Sequence, residues 1–190
     1  HFDGEFITKH NRAGKGLGVK LFQDSAALTA YVDGPDFEPS VDGITLLQQY
    51  IKAPTPHITR VEFIGGKLMY AVRVDTSEGF ELCPADVCAV GDAFCPTGAA
   101  TDDKFQIIEG FSHPLVPQYE ALLAAHGIGV AAFEFIVDAQ GQAFTYDINT
   151  NTNYNSQAEA RAQVSGMDTL AAFLTAELQA ASTLTARAAA

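Results

Sequence analysis

Apolar and polar residues alternate along several short segments of the chain, which is the two-residue period of β-strands. Other segments place apolar residues three or four positions apart, which is typical of helices. Asp24 and Ser25 offer an N-cap before one such segment, and Gly127 offers a C-cap after another. The pattern predicts strands at 5–10, 19–23, 44–51, 60–64, 67–74, 130–137 and 142–148, with 44–51 buried, and helices at 26–32, 115–126 and 167–181.

Turn signals connect the predicted strands into hairpins. Gly65-Gly66 lies between two strands, and a four-residue turn at 138–141 lies between the last two. Because hairpins predominate, we expect antiparallel sheets with helices packed on them, an α+β fold. The stretch from Asp75 to Gly110 is expected to be irregular, and the Ala-rich tail after Ser182 to be frayed.

Composition narrows the class of protein and its partners. The 190 residues are 47% hydrophobic and 18% charged, which is ordinary for a soluble globular protein. A formal net charge of -12 argues against a nucleic-acid duplex or an anionic membrane as the main partner. No run is apolar enough to span a bilayer and no signal peptide is visible, so a cytoplasmic location is expected. The first residue lies inside what reads as a strand, which suggests a fragment of a longer protein.

The few basic residues are concentrated near the start. Lys9, Arg12, Lys15 and Lys20 lie together there, although the whole chain has only 11 Lys and Arg residues. A local cationic patch on an acidic protein suits a small polyanion such as a nucleotide phosphate. A solvated charge cluster accounts for the same residues equally well.

A Gly-rich stretch interrupts this basic region. Gly14, Gly16 and Gly18 alternate with other residues, a spacing that matches neither the dinucleotide fingerprint nor the Walker loop. The stretch joins two predicted strands, so its backbone N–H groups could close over phosphates while Lys9 and Lys15 supply charge. An ordinary mobile loop is the alternative.

The last hairpin carries acids and an amide. Asp147 and Asn149 point the same way, because side chains alternate along a strand. Glu134 can fall opposite or diagonal to Asp147 if the intervening turn closes the hairpin. Like charges across a strand pair repel, and a bound Mg²⁺ offsets that cost through carboxylate oxygens. The set therefore predicts a divalent cation site; a solvated face of an edge hairpin is the other reading.

Three cysteines lie in the irregular middle of the chain. Cys83, Cys88 and Cys95 have no Cys-x-x-Cys spacing, and the nearest downstream histidine is His113. Buried thiols are the simplest interpretation, with a zinc site, a redox pair or a catalytic thiol as alternatives.

The order of these motifs resembles the ATP-grasp superfamily. Residues 6–11 before the Gly-rich stretch look like the strand and glycine lid that contact phosphates, and 46–51 resembles the linker strand that holds adenine. Residues 60–73 are similar to the hairpin that follows, and Glu134 with 147–151 resembles the metal-binding acid, acid and asparagine of the glutamate-ligase type.

The resemblance implies an ATP-grasp fold that holds nucleotide between two subdomains, a small one at 1–50 and a larger one at 51–182, with a tail at 183–190. It implies ATP and Mg²⁺ (or Mn²⁺) as cofactors. Arg73 would be the catalytic arginine that faces the phosphates. Nucleotide contacts are expected from Lys9, Lys15, Gly16, Gly18, Gln48, Gln49, Tyr50 and Ile51, and metal contacts from Glu134, Asp147 and Asn149.

The activity implied is that of a carboxylate–amine or carboxylate–thiol ligase that works through an acyl phosphate. Its substrates would be a small-molecule or peptide carboxylate and an amine, and the N-terminal domain of the parent chain would be its partner. Gln49 stands where the family often has an acid, and 75–111 does not resemble its usual substrate-binding segment. Two alternatives stay open: a non-catalytic ATP-binding module or fragment, and a cysteine-based metal or redox protein. The identity of the substrates, the oligomeric state and the activity of this segment alone stay open too.

Overall fold

The computed structural model describes residues 4–12, 18–77, 79 and 104–188. Two antiparallel-rich sheets and four helices occur within those residues, so the expected α+β class is confirmed. The strands are β1 (Phe6–His10), β2 (Lys20–Phe22), β3 (Thr45–Gln49), β4 (His57–Ile64), β5 (Lys67–Asp75), β6 (Phe105–Ile108), β7 (Val130–Val137) and β8 (Ala143–Asn149), and the helices are α1 (Ser25–Val32), α2 (Leu115–His126), α3 (Ser156–Ala162) and α4 (Gly166–Ala188).

The chain divides into two compact units. The first comprises the described residues of 1–56, 76–83 and 137–144, and it contains a three-stranded sheet in the order β2-β1-β3. The second comprises the described residues of 57–75, 84–136 and 145–190. A five-stranded sheet in the order β6-β5-β4-β7-β8 runs through the second unit, with residues 143–144 of β8 grouped with the first.

An aromatic stack fixes α1 on one face of the three-stranded sheet. The Phe6 and Phe22 rings stack with centroids 5.9 Å apart, and Tyr31 of α1 packs against Phe22 at 5.5 Å. Asp24 caps α1, because its Oδ1 accepts from the Ala27 N–H at 2.8 Å. The core of this small unit therefore lies between its sheet and α1.

Helix α2 covers one face of the larger sheet. The Tyr119 ring of α2 stacks on Phe133 of β7 with centroids 4.0 Å apart, and Phe63 of β4 meets Phe133 edge-on at 5.5 Å. The Tyr119 hydroxyl lies 2.5 Å from the Thr145 hydroxyl, which links α2 to β8. The opposite face of β4 and β7 carries the polar residues described below.

Four details differ from the sequence-based expectations. Strand β3 was expected to be buried, yet Leu46 and Leu47 are exposed, because β3 pairs only with β1 in the described sheet and lies at its edge. Strand β6 and helix α3 were not predicted. Helix α4 continues to Ala188, through residues that were expected to fray.

Among the described helices, none combines the length and apolar character that crossing a bilayer requires.

Candidate functional site

Lys9 lies on the open face of the small sheet. Its register partner on β3 is Leu46, and its neighbour Thr8 faces the other way and is buried. Strand alternation therefore puts Lys9 on the face turned away from α1, together with Ile7 and Gln48. This face combines exposed apolar surface with a cation, which suits a ligand that has both a planar ring and phosphates.

Gly18 is the described end of the Gly-rich stretch. Its φ of +74° lies in the left-handed region that favours glycine. A Cβ at this position would lie 2.7 Å from Nδ1 of His10, so there is no room for a side chain. The His10 ring is itself fixed, with Nε2 3.1 Å from the Glu38 carbonyl oxygen. Lys15 and Gly16, two of the predicted phosphate contacts, lie outside the described residues.

The predicted adenine strand, residues 46–51, is paired with β1 as far as Tyr50. Gln48 is half-buried opposite Ile7, and Gln49 is exposed opposite Phe6. The Tyr50 N–H donates to the Glu5 carbonyl oxygen at 3.1 Å, which extends the pairing of β3 with β1. Ile51 is half-buried and lies after the end of β3, outside any strand or helix.

A polar cluster occupies the face of the larger sheet opposite α2. Arg60 and Glu62 lie on β4, and Glu134 is the register partner of Arg60 on β7. The Arg60 guanidinium contacts Glu62 Oε1 through Nε at 2.5 Å, Glu134 Oε1 through Nη1 at 2.8 Å and the Thr152 hydroxyl through Nη2 at 2.6 Å. The Thr152 hydroxyl donates to Glu62 Oε2 at 2.7 Å, and the Tyr146 hydroxyl donates to Glu134 Oε2 at 2.9 Å. We call these five residues the Arg60 cluster.

Burial and charge act in opposite directions on this cluster. Burial raises the pKa of Glu62 by more than the nearby Arg60 charge lowers it. For Arg60, burial lowers the pKa, but attraction to Glu62 and Glu134 outweighs it and the net pKa is raised. The pKa of Tyr146 is well above its usual range, because of burial and then the charge of Glu134. Arg60 is therefore firmly protonated, and Tyr146 stays a hydrogen-bond donor.

The predicted metal ligands lie on two faces of the last hairpin. Tyr146 contacts Glu134, whereas Thr145 contacts Tyr119 of α2, so strand alternation directs Asp147 and Asn149 to the α2 side of β8. Glu134 is hydrogen-bonded to Tyr146, the residue before Asp147, and Asn149 Oδ1 accepts from the Asn151 N–H at 2.8 Å. In the described part of the chain, no group of three His, Cys, Asp or Glu side chains could hold a metal ion. The predicted set nevertheless suits Mg²⁺ in its chemistry, since it offers two carboxylates and an amide oxygen near strand ends. Its use as a metal site stays a prediction.

Arg60, rather than Arg73, is the arginine beside Glu134. Arg73 is exposed on β5, one residue beyond Val72, and Val72 is the register partner of Arg60. Successive strand residues face opposite sides, so Arg73 points away from the Arg60 cluster. Sequence reasoning missed the parts played by Arg60, Glu62 and Thr152. The spacing of Arg60 and Glu62 put both on one face, but the pairing of β4 with β7 was not visible in sequence.

The predicted cysteine site cannot be placed. Cys83, Cys88 and Cys95 all lie outside the described residues.

Comparison with known proteins gives structural but not sequence matches. No protein-family model matches the sequence, and no curated protein matches it at a significant level. A structure of the ATP-grasp ligase PsnB with minimal precursor matches with a TM-score of 0.59 at 18% identity, covering 92% of this chain and 48% of PsnB. PsnB with a phosphomimetic precursor variant, Mg and ADP matches with a TM-score of 0.52 at 14% identity, covering 86% of this chain and 43% of PsnB. The D-alanine–D-alanine ligase of Bacillus anthracis complexed with ATP matches with a TM-score of 0.55 at 15% identity, covering 94% of this chain and 52% of the ligase.

The matches agree on the fold and cover part of each solved protein. At these identities the likeness concerns the backbone arrangement and not the chemistry of individual side chains. The chain spans about half the length of the solved chains it matches.

Proposed function

Because this chain has the ATP-grasp fold, we propose that it is the nucleotide-binding core of an ATP-dependent ligase. The reaction we propose joins a carboxylate to an amine or a thiol through an acyl phosphate. The single observation that carries the proposal is the Arg60 cluster: a buried cation and two carboxylates on the central strands of the larger sheet, in a chain of this fold. A buried ion pair is weak evidence for stability, and ionisable groups perturbed by burial and a charge partner are candidates for a functional site.

The small unit would hold the nucleotide through a mixed surface. Lys9 would attract phosphate oxygens, and the backbone N–H groups around Gly18 would close over them. The exposed leucine at position 46 offers apolar area to a purine ring, and residues 48–51 would contribute hydrogen bonds at its edge.

The larger unit would hold the divalent cation. Asp147 and Asn149, which share one face of β8, would supply oxygen ligands, leaving other positions to water and phosphates. When bound, Mg²⁺ would neutralise charge that develops on the transferring phosphoryl group. Arg60 would add a fixed positive charge next to Glu134.

In the proposed reaction a substrate carboxylate oxygen attacks the γ-phosphorus of ATP. The bond from that phosphorus to the β–γ bridging oxygen breaks, which gives ADP and an acyl phosphate. A nucleophilic nitrogen or sulfur then attacks the acyl carbon. The bond from that carbon to the phosphate oxygen breaks, inorganic phosphate leaves with the electron pair, and the proton of the nucleophile passes to the phosphate or to water. The protein's part is to orient both groups and to exclude water, because acyl phosphates hydrolyse.

Calorimetry with ATP and with ADP, each with and without Mg²⁺, tests the nucleotide and metal assignments. We expect Mg-dependent binding by the wild-type chain, and at least a tenfold weaker affinity (~1.4 kcal/mol) for Asp147→Ala. Glu109→Ala removes an exposed carboxylate elsewhere and serves as the matched control, which should bind like wild type.

Each outcome addresses a different part of the proposal. Undiminished Mg-dependent binding by Asp147→Ala would contradict the metal assignment, and absence of nucleotide binding by the wild-type chain would contradict the proposal as a whole. Ligase activity needs a further test: ADP release that requires both a carboxylate and an amine separates a ligase from a module that only binds ATP.

A further inference from the structure

The segment between β8 and α3 lies over the face of the larger sheet that carries the Arg60 cluster, since Thr152 contacts that cluster. Residues 150–154 of this segment belong to no strand or helix, and we call them the strap. In the described part of the chain, the strap backbone forms no hydrogen bond with another backbone group. A segment without such bonds separates from a folded domain at a low free-energy cost. The strap is therefore held mainly by its side chains.

Thr152 attaches the strap to β4. Its hydroxyl accepts from Nη2 of Arg60 at 2.6 Å and donates to Oε2 of Glu62 at 2.7 Å. The Arg60 and Glu62 side chains are only 9% and 2% exposed, so the strap separates two charged groups from water. When the strap leaves this face, water takes the place of the Thr152 hydroxyl on both groups. The exchange of protein hydrogen bonds for water hydrogen bonds costs little net free energy.

Tyr154 attaches the other end of the strap, and its hydroxyl is buried without a partner. Its ring meets the Tyr70 ring edge-on with centroids 6.4 Å apart, and a Cβ on Gly166 would lie 2.7 Å from its Cγ. The hydroxyl oxygen has no hydrogen-bond partner among the described residues. Burial, and then the charges of Glu62 and Glu159, raise the pKa of Tyr154 to about 12, so the group stays a neutral hydroxyl at pH 7.

A buried hydroxyl without a partner raises the free energy of the closed strap, and water satisfies that hydroxyl when the strap opens. We propose that the strap is a cover that opens locally to give bound molecules access to Arg60 and Glu62, and that the unpaired Tyr154 hydroxyl favours the open form. A molecule that contacts Arg60 then binds the open form, so its apparent affinity is proportional to the open fraction. The inference goes beyond the proposed function, because it concerns the chain without nucleotide.

Two substitutions should move the strap in opposite directions. Tyr154→Phe keeps the packed ring and removes the unpaired hydroxyl, so it stabilises the closed strap. Thr152→Val keeps the shape of the side chain but removes the hydroxyl that Arg60 and Glu62 contact, so it favours the open strap. A rigid cover predicts a different result, because Arg60 would then become accessible only when the whole unit unfolds.

The measurement is the rate at which phenylglyoxal modifies Arg60 in the 190-residue chain without nucleotide, quantified by peptide mass spectrometry. Arg73 is exposed and serves as the reference in the same sample. Relative to wild type, Arg60 should react at least about fivefold more slowly in Tyr154→Phe and at least about fivefold faster in Thr152→Val. Urea below the unfolding transition should leave the Arg60 rate unchanged, because local opening exposes little surface.

The neighbouring tyrosine supplies the matched control. The Tyr70 hydroxyl donates to the Glu159 carboxylate at 2.8 Å, so Tyr70→Phe removes a paired hydroxyl from the ring next to Tyr154. This change should not slow the modification of Arg60. Chymotrypsin cleavage after residue 154 is a second measurement, since it needs an open strap and accepts both Tyr and Phe at that position. The cleavage should also be slower in Tyr154→Phe than in wild type.

Three results would overturn the inference. One is an Arg60 rate in Tyr154→Phe that equals or exceeds that of wild type, since the hydroxyl would then have a partner in the closed strap. Another is equal slowing in Tyr70→Phe, and the third is an Arg60 rate that rises with urea in parallel with global unfolding. Circular dichroism checks folding, and if Thr152→Val does not fold, Tyr154→Phe and its chymotrypsin cleavage decide. Neither measurement involves nucleotide, so failure here leaves the proposed function intact, and absence of nucleotide binding would contradict that function alone.

Discussion

The packing of α4 on the larger sheet gives a prediction that can be worked out from distances. A Cβ on Gly129 would lie 2.8 Å from Cζ and 3.1 Å from Cε1 of the Phe173 ring. Gly129 is not among the glycines with positive φ, so the backbone itself accepts alanine. The ring also lies above Gly65, where a Cβ would be 3.3 Å from Cδ2, so it cannot move freely away from Gly129.

The cost of Gly129→Ala follows from this crowding. Overpacking of this kind costs about 1–3 kcal/mol, and we expect about 2 because the ring is confined on two sides. Phe173→Leu should cost about 1–2 kcal/mol for the lost ring contacts, but it also makes room for the new methyl group. The double variant should therefore cost about 1 kcal/mol less than the sum of the two single changes.

Urea unfolding followed by far-ultraviolet circular dichroism measures these free energies, and the four proteins form a double-mutant cycle. Gly4→Ala is the matched control, since a Cβ there meets nothing within 4 Å, and it should be neutral or slightly stabilising. Strict additivity of Gly129→Ala and Phe173→Leu, or a Gly129→Ala protein as stable as wild type, would refute the packing argument.

Three further changes test other contacts. Thr152→Val should lower the free energy of unfolding in urea by about 1–3 kcal/mol, because it leaves Arg60 and Glu62 without the hydroxyl they contact. Thr152→Ser keeps the hydroxyl and should keep most of that stability. Equal losses in the two variants would contradict this. Tyr70→Phe should lower the free energy of unfolding by about 1.5–3 kcal/mol in the same assay, because the Tyr70 hydroxyl donates to the buried Glu159 carboxylate at 2.8 Å. An unchanged stability would show that water replaces this hydrogen bond. The pKa of Asp42 is lowered to about 2, first by a hydrogen bond from Asn11 and then by further hydrogen bonds, so stability present above pH 4 should fall as pH drops towards 2. Asp42→Asn should reduce that fall in unfolding measured across the same range, and an unchanged acid limb would contradict the assignment.

Local signals predicted most of the fold. The hairpin of β4 and β5 has its turn at Gly65-Gly66, both with positive φ, and α2 ends at Gly127 in the left-handed conformation. Exposure was harder to predict, because an apolar strand such as β3 looks the same in sequence at an edge and in the middle of a sheet. Helix α3 is short and depends on the Asn155 cap, whose signal was overlooked in a loop rich in asparagine.

The candidate site was less accessible to sequence reasoning than the fold. Glu134 could be identified because a carboxylate among apolar strand residues is unusual. Its partner Arg60 is 74 positions away in sequence and meets it only because β7 pairs with β4 instead of ending the sheet with β8. Thr152 is a further step away, since it contacts Glu62 across 90 positions from a segment without regular structure. Pairing between distant strands leaves no short-range pattern in sequence.

The energetics of Glu62 favour a functional origin for the Arg60 cluster. The folded chain raises the pKa of Glu62, so the protonated form is favoured by folding, and the associated stability is lost as pH rises through the folded pKa. An ionised Glu62 therefore lowers stability, and it lies between the buried apolar residues Val61 and Phe63 on β4. A leucine or valine there would fit the strand and avoid this cost. The charge is explained if its use is to retain the Arg60 guanidinium beside Glu134.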